Sequence, residues 1–124
     1  MIQNPWRHKN LKESFLGALK GLAVVLKSER NARIIFLVGL IVLITAIFLQ
    51  FPFNELVILI IVVISVFVCE VFNTLVENIC NMIKPENDPH VKILKDIASA
   101  AVFIACIGAL AIGMILFLPK LLSL

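Results

Sequence analysis

Residues 56–69 read LVILIIVVISVFVC, with Ser65 as the single polar side chain, and they run directly into Glu70-Val-Phe-Asn73-Thr74-Leu-Val-Glu77 and on to Asn81. Carried to about residues 54–82, this stretch is long enough to cross a hydrocarbon core of about 30 Å as a helix. At about 100° per residue, Glu77 and Asn81 return to within about 20° of Glu70, and Asn73 lies about 60° to one side. Four polar groups therefore share one stripe. An ionisable group on a membrane helix costs at least about 2.5 kcal/mol on insertion scales, so it is a functional hypothesis by default. The stripe is expected to line a site.

The rest of the chain supports a membrane setting. Of its 124 residues, 61% are hydrophobic and 15% charged, with a mean hydropathy of +1.08, whereas about a quarter of the residues of a soluble domain are charged. That length accommodates three spans with short connections and no separate soluble domain, so residues 1–124 are expected to form one all-α membrane domain. Residues 1–6 (MIQNPW) lack the charged segment and apolar core of a cleavable signal. Cys69, Cys80 and Cys106 have no paired spacing and are expected to be core residues.

Proline marks the boundaries. Pro5, Pro52, Pro85, Pro89 and Pro119 lie between or outside the apolar runs, where helices are expected to break. The expected spans are about 33–51, 54–82 and 93–118, the second with Asn54 as N-cap. In the third, Ala101, Ala105, Ala109 and Gly113 repeat every four residues, a small-residue pattern that permits close helix approach. Ahead of them, at about 10–30, Leu11, Phe15, Leu19, Leu22 and Leu26 recur at helical spacing opposite Glu13, Lys20 and Lys27. An amphipathic surface helix is the reading, with its leucines in the headgroup boundary.

Seven of the eleven basic residues precede the first span, and Lys84, Lys92 and Lys95 lie between the second and third. The positive-inside rule places the N-terminus and the second loop in the cytoplasm, with Lys120 as the one dissenter. These are membrane-surface charges, and no nucleic-acid partner is expected. Measured from Asn54, Glu70 lies about 24 Å and Glu77 about 34 Å along the helix, so the stripe emerges at the cytoplasmic interface.

Most acidic residues gather at that level: Glu29, Glu70, Glu77, Glu86, Asp88 and Asp96, with Lys95 beside Asp96. A hard cation such as Mg²⁺ takes one or two carboxylates together with substrate phosphate oxygens, a role open to Glu29 and Glu77. Glu70 is placed to take a proton from a hydroxyl, and a lysine supplies a compact charge for a transferring phosphoryl group. These parts point to phosphoryl transfer from a nucleotide to a lipid hydroxyl. No GxxxxGK[ST] loop or GxGxxG fingerprint is present, which excludes a nucleotide kinase of a common soluble fold. The alternatives are carboxylates paired with basic residues of neighbouring helices and, more distantly, a small transporter using the stripe as an ion or proton relay.

Glu70-Val-Phe-Asn73-Thr74-Leu-Val-Glu77, followed eighteen residues after Glu77 by Lys95-Asp96-Ile-Ala-Ser-Ala-Ala-Val102, resembles the prokaryotic diacylglycerol kinase and undecaprenol kinase family. Lys20-Gly21-Leu22 and Ser28-Glu29-Arg30-Asn31 resemble that family's surface helix and turn, and the likeness covers about residues 12–118. It implies a homotrimer of three-span protomers in the bacterial inner membrane, using MgATP to phosphorylate a membrane lipid alcohol, either diacylglycerol or undecaprenol. It also implies Glu70 as general base, Asn73 as its orienting partner, and Glu29 and Glu77 as metal ligands with ATP. Glu86, Asn87 and Asp88 would line the nucleotide, Lys95 and Asp96 would meet its phosphates, and Ser99 would approach the lipid. Gly17 stands where many members carry tyrosine, Asn87-Asp88 replaces a common Tyr-His, and Asn81 stands where aspartate is frequent.

Overall fold

A computed structural model of the chain describes Arg7, residues 10–83 and residues 87–124. These form four helices: α1 (Leu11–Ser28), α2 (Arg30–Phe48), α3 (Phe53–Ile83) and α4 (Pro89–Leu122). The last three are long and apolar enough to cross a membrane, so the protein is a multi-pass membrane protein.

The α1–α2 corner is a single extended residue, Glu29, at φ −114°, ψ 113°. Asn10 caps the start of α1, its side-chain oxygen accepting from the Glu13 N–H at 2.9 Å. The end of α1 is capped from outside. Arg33, one turn into α2, donates through Nη1 to the carbonyls of Leu26 and Lys27, both at 2.9 Å, satisfying acceptors that a helix end leaves open. With Arg33 engaged in this way, the corner is tied to both helices.

α2 returns to α3 through a tight turn built on a Schellman pattern. The Gln50 N–H donates to the Ile47 carbonyl at 3.0 Å and the Phe51 N–H to the Ala46 carbonyl at 3.1 Å. Gln50 takes the left-handed conformation, φ 59°, where glycine is usual and another residue carries about 1–2 kcal/mol of strain. Phe51 then turns inward, 8% exposed, beside Ala46 and Leu59. The Leu56 N–H donates to the Pro52 carbonyl at 3.0 Å, so α3 begins one residue before Asn54. Asn54 thus lies within the first turn, and the N-cap expectation is corrected because the backbone of Pro52 already closes that turn.

Gly39 sets the crossing of α2 on α3. A Cβ at this position would stand 2.6 Å from Val63 Cγ1, so only glycine lets the helices approach this closely. Phe36 and Phe67 pack nearby with ring centroids 5.8 Å apart. Inside the spans, the hydroxyls of Thr45 and Ser65 donate to the carbonyls of Ile41 and Ile61, each at 2.7 Å, as lipid requires of a group with no water to bond.

Prolines behave differently in α4 than the sequence predicts. Pro89 starts the helix, with Asp88 as N-cap accepting from the N–H groups of His90 (2.8 Å) and Val91 (3.3 Å). Proline suits this first position because its missing N–H would have no partner there. Pro119 lies inside α4, which continues to Leu122, so the expected break at residue 118 is corrected. Only three helical residues follow Pro119, and contacts on both sides hold the turn: Phe117 stacks on Phe51 at 4.7 Å, and Lys120 pairs with Glu55 at 3.4 Å. That pair also neutralises the basic residue that dissented from the charge asymmetry.

No residue of α4 is buried. Ala105, Ala109 and Gly113 are half-buried, whereas Ala101 is exposed. A largely apolar groove of about 590 Å³, lined by residues that include Gly39, Val66, Ala109 and Gly113, runs between α2, α3 and α4.

Candidate active site

Helix lengths place the site. From the α2–α3 turn, α2 extends about 28 Å to its start at Arg30, and α3 reaches Glu70 after about 26 Å. Antiparallel packing therefore brings Glu70 level with the Glu29 corner, while Glu77 and Asn81 continue beyond it. Electrostatically, Glu29 and Glu77 are the two charges that act on Glu70.

Glu70 is 2% exposed, Asn73 8% and Thr74 2%, the only buried polar side chains among the described residues. Thr74 is satisfied, its Oγ1 donating to the Glu70 carbonyl at 3.1 Å. In contrast, Glu70 Oε1 and Asn73 Oδ1 have no hydrogen-bond partner among the described residues, a condition shared there with Glu55 Oε2, which nevertheless faces the Lys120 ammonium at 3.4 Å. Buried polar groups in membrane helices are ordinarily bonded, and an orphaned acceptor calls for a missing partner. No ion pair joins Glu29, Glu70 or Glu77 to a cation among the described residues, so the alternative of structural pairing within the protomer finds no support. Glu29 makes no side-chain cap to α2, and Arg33 serves carbonyls instead of that carboxylate.

Further along α3, a side-chain bond crosses the α3–α4 hairpin. Lys95 Nζ donates to Asn81 Oδ1 at 2.7 Å. Asp96 is held by Lys92, at 2.6 and 2.7 Å to its two oxygens, so the adjacent Lys95 and Asp96 face different neighbours. Asn87 and Ser99 are exposed. Asp88 is engaged as the cap of α4 and lies 3.5 Å from His90 Nδ1. Glu86 falls outside the described residues. Two contacts at this end have no counterpart in the sequence pattern: Arg33 with the α1 carbonyls, and Asn81 with Lys95. The first has a basic-residue signal but no hint of its carbonyl partners; the second joins residues fourteen apart through a loop.

Carboxylates gathered at one end of a membrane hairpin, with no cation paired to them among the described residues, are the mark of an intramembrane enzyme or an ion relay, and comparison with known proteins separates the two. The family model for prokaryotic diacylglycerol kinase matches residues 17–117; the chain belongs to this family of prokaryotic lipid kinases. It is 29% identical to the undecaprenol kinase of Bacillus subtilis over 109 residues, 88% of this chain and 89% of that protein. It is 32% identical to the diacylglycerol kinase of Synechocystis sp. over 124 residues, 98% of this chain and 71% of that protein. The protein is thus a lipid kinase, and the transporter alternative is set aside.

Proposed function

We propose that the protein transfers the γ-phosphate of MgATP to the hydroxyl of diacylglycerol, giving phosphatidic acid, at the cytoplasmic face of the bacterial inner membrane. The observation that carries this reading is the pair of buried, unpartnered oxygens on Glu70 and Asn73, set among two further carboxylates with no cation of the described residues to neutralise them. Glu70 takes the proton of the lipid hydroxyl, whose oxygen attacks the γ-phosphorus as the bond to the β–γ bridging oxygen breaks and ADP leaves. Asn73 orients the reacting hydroxyl beside it. Lys95 meets the phosphates, Asp96 and Asn87 lie at the nucleotide side, and Ser99 lies towards the lipid.

Magnesium fits the donors present. Among the described residues no group of three acidic, histidine or cysteine side chains could hold a metal, and Mg²⁺ with a nucleotide needs only one or two carboxylates because phosphate oxygens complete its shell. Glu29 and Glu77 would hold it, and when bound it would neutralise charge on the phosphates. The unburied α4 and the apolar groove support a homotrimer in which neighbouring protomers cover these faces.

Undecaprenol is the second reading, favoured by the match to the undecaprenol kinase of Bacillus subtilis over nearly nine-tenths of both chains. The test is transfer from labelled ATP to each lipid in mixed micelles with Mg²⁺. Labelled phosphatidic acid is the expected product. Label in undecaprenol alone selects the second reading, and label in neither rejects both.

A further inference from the structure

Glu29 is the only residue between α1 and α2, so its two torsions, φ −114° and ψ 113°, set the angle at which one helix leaves the other. Bonds bracket its backbone: the Glu29 N–H donates to the Val25 carbonyl at 2.9 Å, and the Glu29 carbonyl accepts from the Arg33 N–H at 3.3 Å. Arg33 then reaches back over the corner, where Nη1 donates to the carbonyls of Leu26 and Lys27, both at 2.9 Å. A cation suits this end of α1, because the helix dipole favours it and the last carbonyls lack partners within the helix.

The Glu29 carboxylate stays outside this set of bonds. It is half-buried and, among the described residues, pairs with no cation, Arg33 one turn away included. Glu29 and Glu77 both act on Glu70 as like charges, and repulsion within the group drives the corner outward until a cation binds. The two bonds from Nη1 oppose that movement.

We propose that Arg33 is a positioning residue: by stapling the last turn of α1 to α2, it holds the Glu29 carboxylate in place for Mg²⁺ before the metal arrives. This rests on the reading of Glu29 as a metal ligand. Two other roles for the same side chain predict something different. Acting by charge alone, a cation near the carboxylates repels Mg²⁺, so its removal tightens metal binding. Acting as a phosphate contact, its removal weakens nucleotide binding with or without metal. A staple predicts weaker binding of the metal complex alone.

The test uses the purified full chain in detergent micelles. Binding of the Mn²⁺ complex of AMP-PCP, a non-hydrolysable ATP analogue, is read by water-proton relaxation, and binding of trinitrophenyl-ATP in EDTA by fluorescence. Arg33→Met keeps the apolar stem and removes the donors. It should weaken binding of the Mn²⁺ complex roughly tenfold, as when about a tenth of the molecules hold the competent geometry, and leave metal-free nucleotide binding unchanged. Arg33→Lys, which retains the charge without the planar fork and guards against a folding artefact, should weaken it about threefold. In the Glu29→Gln background neither change should have a further effect, since both pass through that carboxylate. Unchanged or tighter binding of the Mn²⁺ complex by the Arg33 variants would overturn the staple, as would an equal loss in EDTA or in the Glu29→Gln background. Wild-type binding of the Mn²⁺ complex by Glu29→Gln would instead reject the reading of Glu29, and the proposal with it.

Discussion

The two ends of the α2–α3 hairpin treat their polar groups in opposite ways. At the turn, Glu55 faces the Lys120 ammonium at 3.4 Å, and that ammonium lies 5.4 Å over the ring of Phe51, itself stacked on Phe117. At the far end, Glu70 and Asn73 are buried with oxygens that nothing among the described residues satisfies, and the charges nearest in effect, Glu29 and Glu77, repel. A charge retained for architecture is neutralised by its own chain. Groups retained for chemistry keep their bonding capacity open for substrate, which leaves the far end less stable than it could be.

Four substitutions can break or sharpen this contrast. Glu70→Gln should reduce lipid phosphorylation by roughly a thousandfold, within the range of a lost general base, while trinitrophenyl-ATP binding persists. Because a neutral amide is easier to bury than an unpaired carboxylate, its melting temperature in micelles should stay level or rise; wild-type turnover would remove Glu70 from the base role. Phe51→Ala is the mirror image at the turn. It should lower stability by about 3 kcal/mol, seen as an earlier thermal transition, with turnover per folded molecule kept. An equal loss of both would show that the two ends are coupled.

Smaller effects come next. Glu77→Gln should raise the Mg²⁺ concentration needed for half-maximal rate roughly tenfold, the order of one charged contact, and an unchanged Mg²⁺ dependence would reject it as a ligand. Glu55→Gln should lower stability by at most about 1 kcal/mol, because the pair is partly exposed. Its turnover should match wild type. A large activity loss in that variant would mean the closed end also reaches the chemistry.

How much of this was legible in the chain differs between elements for physical reasons. The apolar run at 56–69 and the polar stripe behind it already placed Glu70, Asn73 and Glu77 on one helical face, because helical periodicity is a local property. The amphipathic pattern of α1 was readable for the same reason. Asn54 and Pro119 misled, since whether a cap or a break occurs depends on which backbone groups are nearby: the Pro52 carbonyl in one case, and the Glu55 and Phe51 contacts in the other. Arg33 could not be read from spacing, because its acceptors are carbonyls at the end of a different helix.

The sequence by itself determined that the chain lies in a membrane, that three segments are long and apolar enough to cross it, and that costly carboxylates gather towards one end of the spans, because hydropathy, helix rise and charge are sums over neighbouring residues. Only the tertiary structure decided which of those charges are paired. Glu55 meets Lys120 sixty-five positions away, Lys95 meets Asn81 instead of its neighbour Asp96, and Glu70 meets no cation among the described residues. Pairing depends on distances between separate helices, and those are set by packing features such as Gly39 against Val63 and the single extended residue at Glu29.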